Sequence, residues 1–106
     1  MKIDKKWGYE KWLVNEPEYC GKLLAIKKDS SGSLHYHKVK KETFIAISGV
    51  VKLEVEGDEI IFNAAHDPIT ILPNQKHRFT GIVNSTILEV STHHDDEDTY
   101  RIEESK

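Results

Sequence analysis

Between Val50 and Phe62 apolar and polar residues alternate with a period of two, and the pattern reverses direction at a glycine. Val51, Leu53 and Val55 fall on one face and Lys52, Glu54 and Glu56 on the other, as in a strand with one buried side. Gly57-Asp58 marks a tight hairpin turn, because glycine accepts the positive φ that two-residue loops need. A lone hairpin is marginal in water, so its apolar face requires further strands.

The chain supplies them. Short strand-like runs occur at Lys22–Lys28, Leu34–His37, Glu42–Ser48, Ile69–Leu72, His77–Thr80 and Thr86–Ser91. Turn residues separate them: Asp29 to Ser33, Gly49, Asp67-Pro68 and Pro73 to Gln75. Many short strands at this spacing predict an all-β fold, either a closed barrel or two packed sheets. Two stretches are less regular. Tyr9 to Val14 fits a strand or a helical turn, and Asp95 to Glu104 has weak helical character without an apolar face. With 106 residues and no internal repeat, the expectation is one domain over 1–106, with an N-terminal strand or arm at 1–20 and an acidic C-terminal tail at 92–106.

Composition narrows the function. A formal charge of −3 lacks the basic surface of a nucleic-acid binder. No apolar run approaches a membrane span. The first ten residues contain no apolar core of a secretory signal. Cys20 is the single cysteine, so no intrachain disulfide forms, and a reducing cytoplasmic setting is expected.

The chemistry concentrates in a few positions. His35 and His37 stand at i and i+2 in a short strand and so share one face, roughly 6.5 Å apart along it. Glu42 opens the next run, where the Lys38–Lys41 connection resets the alternation and turns it inward, with Phe44 and Ala46 following. His77 follows the Pro73 loop on a distant strand. Three imidazoles and one carboxylate suit one divalent transition metal per chain (Zn, Mn, Fe, Ni or Co) and not calcium. Four ligands leave coordination positions open for a substrate.

These residues resemble the cupin motifs. Gly32-Ser-Leu-His35-Tyr-His37, followed after four residues by Glu42 and after six more by Gly49, is similar to the first motif. Pro73-Asn-Gln-Lys-His77-Arg-Phe79 is similar to the second, with Asn74 or Gln75 in place of its usual glycine. The resemblance implies a double-stranded β-helix, or jelly-roll, barrel, commonly a homodimer, with His35, His37, Glu42 and His77 as metal ligands. It extends to Trp7-Gly-Tyr-Glu-Lys-Trp-Leu13 and to the stretch from Glu89 to Glu103, which look like the cupin domain of type II mannose-6-phosphate isomerases and their small stand-alone relatives. The activity this implies is aldose–ketose isomerisation of a sugar or sugar phosphate.

Three functions fit such a site. The first is that isomerase, in which a metal stabilises the enediolate and a general base shuttles a proton. The second is an Fe or Ni dioxygenase, and the third a non-catalytic, metal- and sugar-binding cupin, because one fold hosts many chemistries. The base is not evident in the sequence; Glu89 and Lys27 are candidates, and Arg78 or Lys76 could meet a phosphate at the mouth, with Lys76 better read as solvated. Trp7, Tyr9 and Trp12 are expected to seal a barrel end or a subunit contact rather than stack a sugar. Ile45 and Ile47 alternate with inward residues, so the outer face of that strand is expected to be covered by a second subunit. His66, beside Asp67-Pro68 in a turn, is expected at the surface, and His93-His94-Asp95-Asp96 is a second candidate metal cluster disfavoured because adjacent residues of a strand point in opposite directions.

Overall fold

The computed structural model describes residues 1–106. In chain order the strands are β1 (Lys2–Lys5), β2 (Gly8–Asn15), β3 (Cys20–Ile26), β4 (Leu34–Tyr36), β5 (Glu42–Ser48), β6 (Val50–Val55), β7 (Asp58–Asn63), β8 (Ile69–Ile71), β9 (His77–Gly81), β10 (Ser85–Ser91) and β11 (Tyr100–Glu103), with a 3₁₀ turn at Asp96–Asp98. They form two antiparallel sheets. One runs β1-β2-β3-β10-β5-β8, and the other β11-β4-β9-β6-β7. The all-β jelly-roll expectation holds. No helix is long and apolar enough to cross a membrane.

The alternation read from the sequence sets what faces inward. Val51 and Leu53 of β6 are buried, and they pair across the sheet with Phe62 and Ile60 of β7 and with Gly81 and Phe79 of β9. Lys52 faces outward beside Glu54 and Glu59. In β3, Cys20, Lys22, Leu24 and Ile26 are buried while Leu23 and Ala25 are half-buried. Leu24, Ile26, Phe44, Val51, Leu53, Phe62, Ile71, Phe79, Ile87 and Trp7 form one apolar cluster between the sheets. Each such side chain contributes about 1.5–3 kcal/mol when fully buried.

Two turns needed left-handed backbone. The β6–β7 loop is Glu56 and Gly57, with φ of 50° and 84°, one residue earlier than the sequence suggested, and Asp58 opens β7. Two positive φ values in a two-residue loop match the right-handed twist of the strands it joins. Gly49 (φ 81°) links β5 to β6, and a Cβ there would stand 2.3 Å from Ser85 Oγ.

The two less regular stretches resolve as strands for the most part. Tyr9 to Val14 is strand throughout, inside β2. The 1–20 arm is a β1–β2 hairpin that extends the first sheet. The acidic C-terminal tail at 92–106 contains regular structure. Only Asp96–Asp98 is helical, and β11 pairs with β4 at the edge of the second sheet. Edge pairing suits a segment with no apolar face, because a ladder needs backbone groups rather than buried side chains.

Candidate metal centre and its charged wall

His35 of β4 and His77 of β9 are register partners in the second sheet. His37 lies just past β4, and Glu42 begins β5 in the opposite sheet. Both sheets thus project toward one point. The three imidazoles offer ligand atoms within 4.8 Å of one another. Glu42 Oε2 is 3.0 Å from His37 Nε2 and 3.6 Å from His77 Nε2. Ligand atoms of a shared ion stand about 3.0–3.5 Å apart when each bond is about 2.1 Å.

The hydrogen bonds fix which ring nitrogens face inward. Nδ1 of His37 faces Asp98 O at 3.0 Å, Nδ1 of His77 faces Gln75 O at 2.9 Å, and Nδ1 of His35 faces Ser33 O at 3.0 Å. A carbonyl oxygen only accepts, so each Nδ1 carries the proton and donates. Nε2 of each ring is then a bare lone pair, the arrangement that orients metal-binding histidines. Glu42 Oε2 and His77 Nε2 are buried without any hydrogen bond. Burial, with the neighbouring His77 and His37, lowers the His35 pKa to about 3. Burial also lowers that of His77, against the pull of Glu42. Burial pushes the Glu42 carboxyl up, but His37, Lys40 and His77 outweigh it and hold it below the usual carboxylate range. Lowered imidazole pKa values at His35 and His77 beside an ionised Glu42 are what a divalent cation requires of its ligands, so the donor set fits such an ion.

The loop between His37 and Glu42 is braced from the far end of the sequence. Asp98 accepts from the backbone N–H groups of Lys38 (2.9 Å), Val39 (3.2 Å) and Lys40 (3.0 Å). Burial raises the Asp98 carboxyl, but these three donors more than reverse it and leave its pKa lowered. The same residue's carbonyl orients His37. Composition hid it within an acidic stretch.

A cavity of about 100 Å³ opens beside the histidines. Phe44, Phe79 and Trp7 line part of it, and Lys22, Lys40, Glu89, Glu10 and His94 line the rest. Lys22 and Glu89 are cross-strand partners on β3 and β10, and Glu89 pairs in turn with Phe44 on β5, so all three point inward. Lys40 Nζ lies 2.7 Å from Glu89 Oε2 and 2.9 Å from His94 Nδ1. Burial and the Glu42 charge raise the Glu89 pKa against the pull of Lys40 and Lys22. Burial and the charges of Lys40 and Lys22 lower the His94 pKa to about 4.

The expected substrate contacts separate. Glu89 lines the cavity. Lys27 does not; it is exposed past β3, at the opposite end of that strand from the row holding Glu42, in a shallow depression with Tyr9 and Asn84. Arg78 does not either. Its Nε donates to Gly32 O (2.9 Å), and its terminal nitrogens to Glu103 Oε1 (2.9 Å) and Glu104 O (3.0 Å). Strict alternation turns it away from His77 and makes it a clamp on the C-terminal segment. Trp7, Tyr9 and Trp12 form no common platform. Trp7 packs edge-on against Phe79, Tyr9 is exposed, and Trp12 lies over Lys22. His94 is half-buried at the cavity wall, while His93 is exposed.

No protein-family model and no curated protein sequence matches the chain. Solved structures do match. KdgF from Halomonas sp. superposes with a TM-score of 0.82 at 14% identity, over 92% of this chain and 89% of its own. The Streptomyces nucleoside dehydratase Pac13 gives 0.82 at 14% identity, over 97% of this chain and 84% of its own. The capsular polysaccharide assembling protein CapF from Staphylococcus aureus gives 0.81 at 16% identity over 97% of this chain, which spans only 34% of CapF. Likeness at these identities establishes the fold, the cupin jelly roll.

Proposed function

We propose that the chain is a metal-dependent cupin enzyme, an aldose–ketose isomerase acting on a sugar or a sugar phosphate such as mannose 6-phosphate. His35, His37, Glu42 and His77 hold its one divalent transition metal. The observation that carries the metal is the set of three Nδ1 atoms facing carbonyls, which turns three Nε2 atoms toward one point beside the buried Glu42 carboxylate, with His77 Nε2 left without a hydrogen bond. When bound, the ion supplies Lewis-acid polarisation of neighbouring substrate oxygens.

Glu89 is the acid–base group of this reading. It lines the same cavity, and its raised pKa suits taking a proton from one carbon and returning it to the next. Lys40, within 2.7 Å, supports its ionised form. The exposed residues Asp96 and Arg101 line the mouth, where the rest of a sugar would lie. A sugar-bearing ligand agrees with the fold's use elsewhere, since Pac13 has been solved with uridine and CapF assembles capsular polysaccharide. The outer face of the six-stranded sheet, with exposed Ile47 and Val90 and half-buried Ile45 and Leu88, is proposed as the contact of a homodimer.

The test is elemental analysis of protein purified without chelator, followed by an isomerase screen on mannose 6-phosphate, fructose 6-phosphate and free pentoses. The expected result is one transition metal per chain and turnover of at least one substrate. Obligatory iron with O₂ consumption would replace the isomerase by a dioxygenase. Metal without any turnover would leave a binding protein.

A further inference from the structure

Lys22 is a buried cation without a partner. Its side chain is 2% exposed, and its nearest carboxylate oxygen, Glu10 Oε1, is 3.7 Å away, beyond hydrogen-bond reach. That oxygen already accepts from Trp12 Nε1 at 2.8 Å. The Lys22 ammonium instead sits 4.2 Å from the centre of the Trp12 ring. It makes no hydrogen bond, although an ammonium has three donors and an unpaired buried charge is costly. Burial and the neighbouring Lys40 lower its pKa, against the pull of Glu89 and Glu10. Lys40 is satisfied, by Glu89 and His94. Of the two buried lysines that line the cavity with the histidines, Lys22 is the one without a hydrogen-bonded partner.

The charge balance of that cavity points the same way. Lys5, Lys22, Lys40 and Arg101 line it, against Glu10, Glu42, Glu89 and Asp96. Basic and acidic groups cancel, so a divalent ion among the histidines leaves the wall net positive. Lys22 and the three histidines line the same cavity, so one ligand can meet both.

We propose that Lys22 anchors the anionic group of the substrate, so that the cavity selects a small oxygenated molecule bearing a carboxylate or a phosphate over a neutral sugar. Its hydroxyl or carbonyl end faces the three histidines. This rests on the reading of the cavity as a metal-assisted substrate site and names the substrate class within it.

Calorimetric titration of the full chain, with metal content measured on the same samples, tests the anchor. Inorganic phosphate and glycolate are the two anionic probes, and ethylene glycol is the neutral one. At least one anion is expected to bind and the glycol not, and which anion binds tells phosphate from carboxylate. Lys22→Met is expected to weaken that anion on the order of tenfold or more, the loss of one charge-assisted hydrogen bond, while metal content stays unchanged. Equal affinity in the variant, or no anion binding by the metal-loaded parent, would overturn the anchor and leave the metal reading standing. Lys22-dependent anion binding by a chain that takes up no metal would keep the anchor and remove the metal. Should Lys22→Met not fold, the ¹⁵N resonance of the Lys22 ammonium in the parent chain carries the same test. A saturating shift on adding the anion supports the anchor, and a flat titration rejects it.

Discussion

Val51, Leu53 and Phe62 are each 1% exposed, and so is His77. The first three belong to the apolar cluster between the sheets. His77 meets two more imidazoles and a carboxylate whose Oε2 has no hydrogen bond. The two halves of one interior are equally dry and differ in completeness. The apolar half is satisfied by its own contacts, because dispersion and the hydrophobic effect need no specific partner. The polar half carries lone pairs and charges that the chain itself does not match. Equal burial therefore does not mean equal purpose: one half holds the barrel together, and the other presents a donor set suited to an ion.

That contrast can be broken from either side. Phe62→Ala should destabilise the fold most, by about 3–5 kcal/mol, out of a total of roughly 5–15 for a domain. Denaturant titration measures it, and the folded fraction should keep its metal stoichiometry. His77→Ala should do the reverse, losing the metal while the metal-free unfolding midpoint moves less than in Phe62→Ala. Full metal content in that variant would sink the ligand set. Stripping the metal from the parent chain should lower its melting temperature, and restoring it to about 100 times its dissociation constant should return roughly 2.7 kcal/mol.

Two smaller effects sharpen the comparison. Asp98→Ala removes three backbone caps from the Lys38–Lys40 loop, so metal affinity should fall by about tenfold or more through a misplaced His37. The smallest effect is with pH. The His94 pKa is lowered to about 4, against about 6.5 in an unfolded chain. Between those values the unfolded state binds more protons, so stability falls as the pH drops through that window. The melting temperature of the metal-free protein should decline from pH 6.5 to 4, and less steeply in His94→Gln.

The sequence was legible where a period or a motif carried the signal. Val51 and Leu53 announced the β6 face, and the spacing from His35 to His77 singled out the residues that the two sheets bring together. Lys22 was legible too, since it alternates with Leu24 and Ile26 on one face, but its charge made it look like the end of a strand. Lys40 and Asp98 gave no local sign. One lies in a polar connection and the other in an acidic stretch, and their roles come from partners such as His94, 54 positions from Lys40, and His37, 61 positions from Asp98. The β1 strand, Lys-Ile-Asp-Lys, was hidden for a related reason: at a sheet edge the backbone ladder decides, and side chains stay wet.

The brace that Asp98 provides has a temporal side. His37 takes its orientation from a carbonyl 61 residues later in the chain, and Arg78 closes on Glu103 and Glu104 later still. A ribosome delivers these pieces in order. The imidazoles are therefore synthesised well before the segment that aims them, and the site takes its shape only once the stretch beyond Asp95 has emerged and docked.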